Sequence, residues 1–205
     1  MANPLVIDIY HGDPVISFQR VKEFGIIGII HKASQGSTLV DRTYAMRRKL
    51  ATTAGLLWGA YHFMDLSDPE GQAEHFLSVA EPDDATLVAL DWENVGGSSP
   101  NAYQARIFLE TVSSHLNRLP VIYSGNVVKE RIEGKDEFFG QHKLWLAQYG
   151  HRWSVQASWS SPWLWQNNGD NTGPGPHHIP GISGLCDNET IVEGTVEDLI
   201  AGWAT

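Results

Sequence analysis

The feature that most constrains this chain is an alternation. Apolar runs of strand length take turns with amphipathic stretches of helix length along all 205 residues. The strand candidates are residues 5–10, 26–32, 57–63, 86–93, 120–124, 143–149, 162–166 and 185–188. Several are apolar almost throughout, as strands are in a parallel sheet covered on both faces. Helix starts are marked by Asp13-Pro14, Asp41, Asp68-Pro69-Glu70, Ser99-Pro100 and the capping box of Thr195 with Asp198. Gly55 suits the left-handed residue that closes the helix expected over 41–54.

Strand–helix alternation with right-handed crossovers yields an open doubly wound sheet or a closed barrel, and eight strand candidates favour the barrel. A full barrel of eight strand–helix units takes about 250 residues, more than this chain has. The shortfall has a location. Between Gly150 and Trp163, and again between Asn167 and Gly184, the sequence is rich in Ser, Asn, Gly and Pro. The expectation is an α/β fold: an irregular, TIM-barrel-like (β/α) barrel of about eight strands with fewer than eight helices. Residues 1–205 would form one catalytic domain that loses helices in its last third.

Composition removes several function classes. Fourteen Lys and Arg against 24 Asp and Glu give a net charge of −10, the wrong sign for a protein that neutralises nucleic-acid phosphates. No apolar stretch approaches the ~20 residues of a membrane span. The opening MANPLVIDIYHGD has neither the basic residues nor the apolar segment of a secretory signal. The expectation is synthesis in the cytoplasm, with release or delivery to the place of action. Cys186, the single cysteine, has no partner for an internal disulfide. Phosphate-binding glycine loops and the Gly-x-Ser-x-Gly nucleophile elbow are both missing.

What stands out instead is acid placed inside or at the ends of apolar strands. Asp8 interrupts LVIDIY, Asp91 and Glu93 close TLVALDWE, and Asp187 ends the last short run. Residues two apart in a strand project to one face, so Asp91 and Glu93 project together. Parallel barrel strands bring their C-terminal ends to one rim, where active sites of this architecture lie. Closure also makes the first and last strands neighbours. Four carboxylates around one hole follow from that geometry. Unpaired buried acids cost several kcal/mol, and Lys32 is the basic residue in a similar strand-end position. Tyr10, Tyr61, Phe63, Tyr123, Tyr149 and Trp165 lie at or near strand ends, and Trp92 sits between the acids. Aromatic rings around central carboxylates suit a sugar cleft, because the apolar face of a pyranose stacks on such rings. His11, His31 and His62, with Asp8 and Asp91, form the rival set for a metal-dependent hydrolase, although none has the spacing of a metal motif.

In order and spacing these segments resemble glycoside hydrolase family 25, the Chalaropsis-type lysozymes that act as N-acetylmuramidases. The resemblance rests on VIDIY, IIHKASQGSTLVD, AGLLWGAYHF followed by GQAEHF, ALDWE, PVIYSG, LWLAQYG, WLWQ and CDNETIVEGT. It implies an irregular α/β barrel that cleaves the β-1,4 bond between N-acetylmuramic acid and N-acetylglucosamine in peptidoglycan glycan strands, without cofactor or metal. It also implies Glu93 as general acid, Asp91 as the acid assisting beside it, and Asp8 and Asp187 as an outer pair. Lys32, Tyr61, Tyr123 and Tyr149 fall where the family places groove residues; Phe63 and Trp165 join them as substrate-binding candidates. The sequence departs from the family after Trp165-Gln166 and again at Cys186-Asp187-Asn188-Glu189, both on the far wall of the groove. We expect a monomer. The alternatives are a non-catalytic carbohydrate-binding barrel and a chitinase-like hydrolase. The latter's chain of alternating acids is reduced here to the final pair of ALDWE.

Overall fold

A computed structural model describes residues 5–169 and 171–205. Its strands are β1 Val6–Ile9, β2 Gly28–Gln35, β3 Leu39–Val40, β4 Leu57–Phe63, β5 Thr86–Asp91, β6 Val121–Ser124, β7 Leu144–Ala147, β8 Leu164–Asn168 and β9 Asn188–Ile191. The helices are α1 Phe18–Phe24, α2 Tyr44–Thr53, α3 Pro69–Ala80, α4 Ala102–Leu116, α5 Asn126–Arg131, α6 Glu137–Gly140 and α7 Val196–Ala201. Strand order is β1-β9-β8-β7-β6-β5-β4-β2-β3, and an additional β1–β2 pairing closes the ring. Leaving out β3, a two-residue hairpin partner of β2, the barrel has eight strands. The doubly wound open sheet is thereby excluded.

Period-two alternation sorts each strand into an inner and an outer set. Inside the barrel lie Val6, Ile30, Leu87, Ala89, Val121, Trp145 and Leu164. Outside, Ile7, Ile29, Trp58, Val88, Leu90 and Ile122 pack with Phe18 and Val21 of α1, Tyr44 of α2, Phe76 of α3 and Phe108 of α4. The base of the barrel is plugged by α7 and the residues after it, through buried Leu199 and Trp203. Trp203 Nε1 donates to the Trp58 carbonyl at 2.8 Å. Gly28 leaves room for the ring, since a Cβ there would stand 2.5 Å from a Trp203 ring carbon.

Several local signals act as expected. Asp68 caps α3 by accepting from the Gly71 N–H, Gly55 has φ +78° after α2, and Thr195 with Asp198 forms the capping box of α7. Others act one step away. Asp13-Pro14 does not open a helix: Val15 bridges to Ile182, and Ser17 caps α1 by accepting from the Arg20 N–H. Asn101, not Ser99, caps α4 in a box with Gln104. Asp41 folds back onto the Thr43 N–H and hydroxyl instead of capping α2 directly. The short α5, α6 and β3, of 6, 4 and 2 residues, carry too little periodicity to be read from sequence.

The largest correction concerns the last strand. β9 begins at Asn188 and runs antiparallel to both β1 and β8, whereas the sequence places a parallel-type strand over 185–188. No helix lies between β7 and β8 or between β8 and β9 among the described residues, so the last third of the barrel carries loops where helices would be.

Candidate active site

The six parallel pairings that link β1, β2, β4, β5, β6, β7 and β8 bring seven strand C-termini to one rim. The reversed β9 enters at that same rim, which is why Asp187, immediately before it, joins residues that follow the other strands. A cavity of about 310 Å³ opens there. Asp8, Asp91, Glu93 and Asp187 all line it, together with Lys32, Tyr61, Phe63, Tyr123 and Tyr149. Tyr10 and Trp145 complete the wall. Asp91 is the last residue of β5. Glu93 lies beyond the strand and still enters the cavity, so the two acids share a pit although only one is in the sheet.

Glu93 and Tyr149 also line an adjoining hollow of about 460 Å³ with Asn94, Asn126, Val127 and Gln148. The groove therefore continues past Glu93 toward α5, and Glu93 lines both hollows.

Electrostatics in the pit is dominated by burial and by acid next to acid. Burial, then the charge of Glu93, holds the Asp91 carboxyl well above the usual carboxylate range, while Lys32 opposes this. Asp91 Oδ1 is buried without an aligned hydrogen-bond donor. Glu93 is raised by burial and then by Asp187. Asp8 is pushed up to about 7, chiefly by burial. Lys32 is held in place by Gln35 Oε1 at 2.6 Å and by the Phe63 ring, 4.7 Å from its Nζ. Burial lowers its pKa. Tyr61, partly buried, and Tyr123, buried, lie close to the acids, and desolvation followed by the neighbouring carboxylates makes their hydroxyls hard to ionise.

Below the rim, the Gln166 amide joins two walls. Its Nε2 donates to Asp8 Oδ2 at 2.7 Å and its Oε1 accepts from the Tyr123 hydroxyl at 2.8 Å. Gln166 takes this position because it alternates with Trp165 along β8. By the same alternation, Trp165 points out of the pit. It lines a separate hollow with Trp153, Asn167 and Pro176, and its indole N–H donates to the Gln148 carbonyl at 2.7 Å. Trp92, which follows Asp91, likewise turns outward: it is buried against Phe139 and donates to the Pro100 carbonyl at 2.8 Å.

The histidines alternate outward too. His31 is bonded to the Lys32 carbonyl, with Arg47 and Thr43 at its other nitrogen. His62 lies between Ser34 Oγ and Gln72 Oε1. Burial lowers both pKa values to about 4, and both rings belong to the outer layer. His11 pairs with Asp41 at 3.0 Å. Among the described residues, no three His, Cys, Asp or Glu side chains are grouped to hold a metal ion.

The sequence alone gives Trp145, Gln166 and Glu189 no role in the site. Trp145 alternates with Leu144 and Leu146, so the run is apolar whichever way it faces.

Comparison with known proteins gives concordant results. The profile of the glycosyl hydrolases family 25 matches residues 7–175. The autolytic lysozyme of Clostridium acetobutylicum is 28% identical over 192 residues, covering 92% of this chain and 56% of that protein. This chain thus spans little more than half the length of that relative. The bacterial lysozyme from Streptomyces coelicolor superposes with a TM-score of 0.87 at 24% identity, covering 100% of this chain and 98% of that one. For the muramidase from Trichobolus zukalii the TM-score is 0.83 at 26% identity, with 99% of each chain covered.

Proposed function

The chain belongs to glycosyl hydrolases family 25, and from that premise we propose that it cleaves the β-1,4 bond between N-acetylmuramic acid and N-acetylglucosamine in peptidoglycan. The observation that carries this reading is the place of Glu93, an acid with a raised pKa that lines both hollows. A glycan strand crossing from one hollow to the other presents one sugar to each and its glycosidic oxygen to Glu93.

In this reading the muramyl residue occupies the pit. Glu93 gives its proton to the leaving oxygen as the C1–O bond breaks, and positive charge spreads over C1 and the ring oxygen. Asp91 supports that charge through the 2-acetamido group. Its buried Oδ1 has no aligned donor, and the acetamido N–H supplies one. The acetamido carbonyl oxygen then attacks C1 and an oxazolinium ion forms, stabilised by the Asp91 carboxylate. Water next attacks C1 and gives its proton to Glu93, which restores both the acetamido group and the acid. Lys32 opposes the rise that burial and Glu93 impose on Asp91, favouring its ionised form. The aromatic walls exclude water and stack on sugar faces.

Mass spectrometry of fragments from purified peptidoglycan tests the reading, because it identifies the sugar at the new reducing end. N-acetylmuramic acid is expected there, and N-acetylglucosamine would overturn it. Substrate assistance is tested separately with glycan whose muramyl residues lack the N-acetyl group. That glycan should be refractory, and equal turnover would assign Asp91 as direct nucleophile.

A further inference from the structure

Four carboxyls face the groove, and the barrel holds a fifth behind them. Glu189 pairs with Val6 of β1 and Gln166 of β8, so its side chain joins theirs inside the barrel, one rung below Asp8. It is fully buried. None of the ion pairs among the described residues involves it. The polar groups in reach of its carboxyl are Asp8 and the Gln166 amide. That amide is aligned on Asp8 Oδ2 and not on Glu189, neither of whose oxygens has an aligned donor.

An ionised carboxylate in such a place has lost its water without gaining a cation or an N–H. A neutral one has an O–H to give, and Asp8 is the acceptor beside it. We propose that Glu189 is a protonated positioning residue that donates its carboxyl proton to Asp8 and, with the Tyr123–Gln166 pair, fixes the Asp8 carboxylate against the substrate. Burial and the neighbouring acids work in the same direction. They hold Glu189 well above the usual range, while its hydrogen bond draws Asp8 down against burial. The titratable groups facing Glu189 are Asp8 on β1 and, ahead of β9, Asp187 and Cys186. From β8 it meets the non-titrating Gln166.

The role given to Asp8 rests on the hydrolase reading; the proton on Glu189 does not, and two measurements separate them. Difference infrared spectroscopy of the full chain at neutral pH, wild type against Glu189→Gln, reports the carbonyl stretch of a protonated carboxylic acid. A band lost in the variant is expected. A carboxylate band lost in its place would overturn the proposal.

The second measurement is the pH profile of kcat/KM on peptidoglycan for Glu189→Gln and Glu189→Leu. The amide still donates to Asp8, so Glu189→Gln should keep its acidic limb where wild type has it. Glu189→Leu donates nothing, so its acidic limb should move up in pH and its maximum fall about tenfold, the scale of one lost hydrogen bond to a charged group. Overlaid limbs for the two variants would reduce Glu189 to a filler of space and overturn the proposal. The infrared result needs no turnover and stands even if Glu189→Leu does not fold. A wild-type protein that shows the band yet leaves peptidoglycan intact would overturn the hydrolase reading alone.

Discussion

Asp91 and Glu93 enter the same pit from different backbone settings. Asp91 is the last paired residue of β5, in register with Phe63 and Tyr123, whereas Glu93 stands in the loop beyond it. Asp91 is buried and Glu93 only partly so, and the first two predictions divide along that line.

Replacing Glu93 by Gln removes the transferable proton and keeps the shape. Loss of turbidity of a cell-wall suspension should slow by about 10²–10⁴-fold, the usual contribution of a positioned acid. Glu93 is only partly buried, so thermal midpoint should stay close to wild type. Activity near wild type would remove Glu93 from the reaction.

Asp91→Asn should be almost as damaging to turnover and opposite in its effect on stability. A carboxyl raised by burial binds its proton more tightly folded than unfolded, so stability falls as pH rises from the unfolded value through the folded one. The amide does not titrate. At neutral pH the variant should melt above wild type, and the difference should vanish in acid; calorimetry at several pH values measures both.

Asp8 gives the same sign with a defined window. Its pKa rises from 3.8 to about 7 on folding, so its share of stability is complete below 3.8, declines between the two values and is gone above about 7. Across that window Asp8→Asn should flatten the dependence of thermal midpoint on pH. An equally steep decline in the variant would assign the dependence to other groups.

Lys32→Met should act on the Asp91 carboxylate. With the ammonium gone, Asp91 stays protonated to higher pH, and the acidic limb of the kcat/KM profile should move upward by several tenths of a unit to about one unit. Added salt should shift the wild-type limb in the same direction but less, because a partly buried pair is poorly screened.

Trp203→Ala tests the plug at the base. Deleting a buried tryptophan typically costs 3–5 kcal/mol, which urea unfolding would resolve as a lower midpoint with little change in slope. The pit lies at the other rim, so specific activity at low temperature should survive. Loss of activity without loss of stability would couple the base to the rim.

The barrel was legible because alternation, helix starts and the Ser, Asn, Gly and Pro of the last third each point to the same architecture. The orientation of β9 was not legible. A four-residue run such as LCDN has no periodicity that reports direction, and direction is fixed by pairing with β1 and β8. Period two places Asp8 and Asp91 inward and by the same parity turns Trp92, Trp165, His31 and His62 outward. Their chemistry suits a site, and their parity puts them on the other face of the sheet. Glu189 shows the complementary blindness: the sequence marks Cys186-Asp187-Asn188-Glu189 as unusual, and only the antiparallel register shows that one of its acids faces the groove and another lies beneath it.

The plug also decides what can be hung on this barrel. Lys143, just ahead of β7, donates to the Gly202 and Thr205 carbonyls, pinning the tail to the pole away from the carboxylates. Any anchor or label spliced on after Thr205 would trail from the back of the molecule and leave the mouth clear. A passenger grafted beside Tyr149, at the start of the β7–β8 connection, would hang over the groove instead.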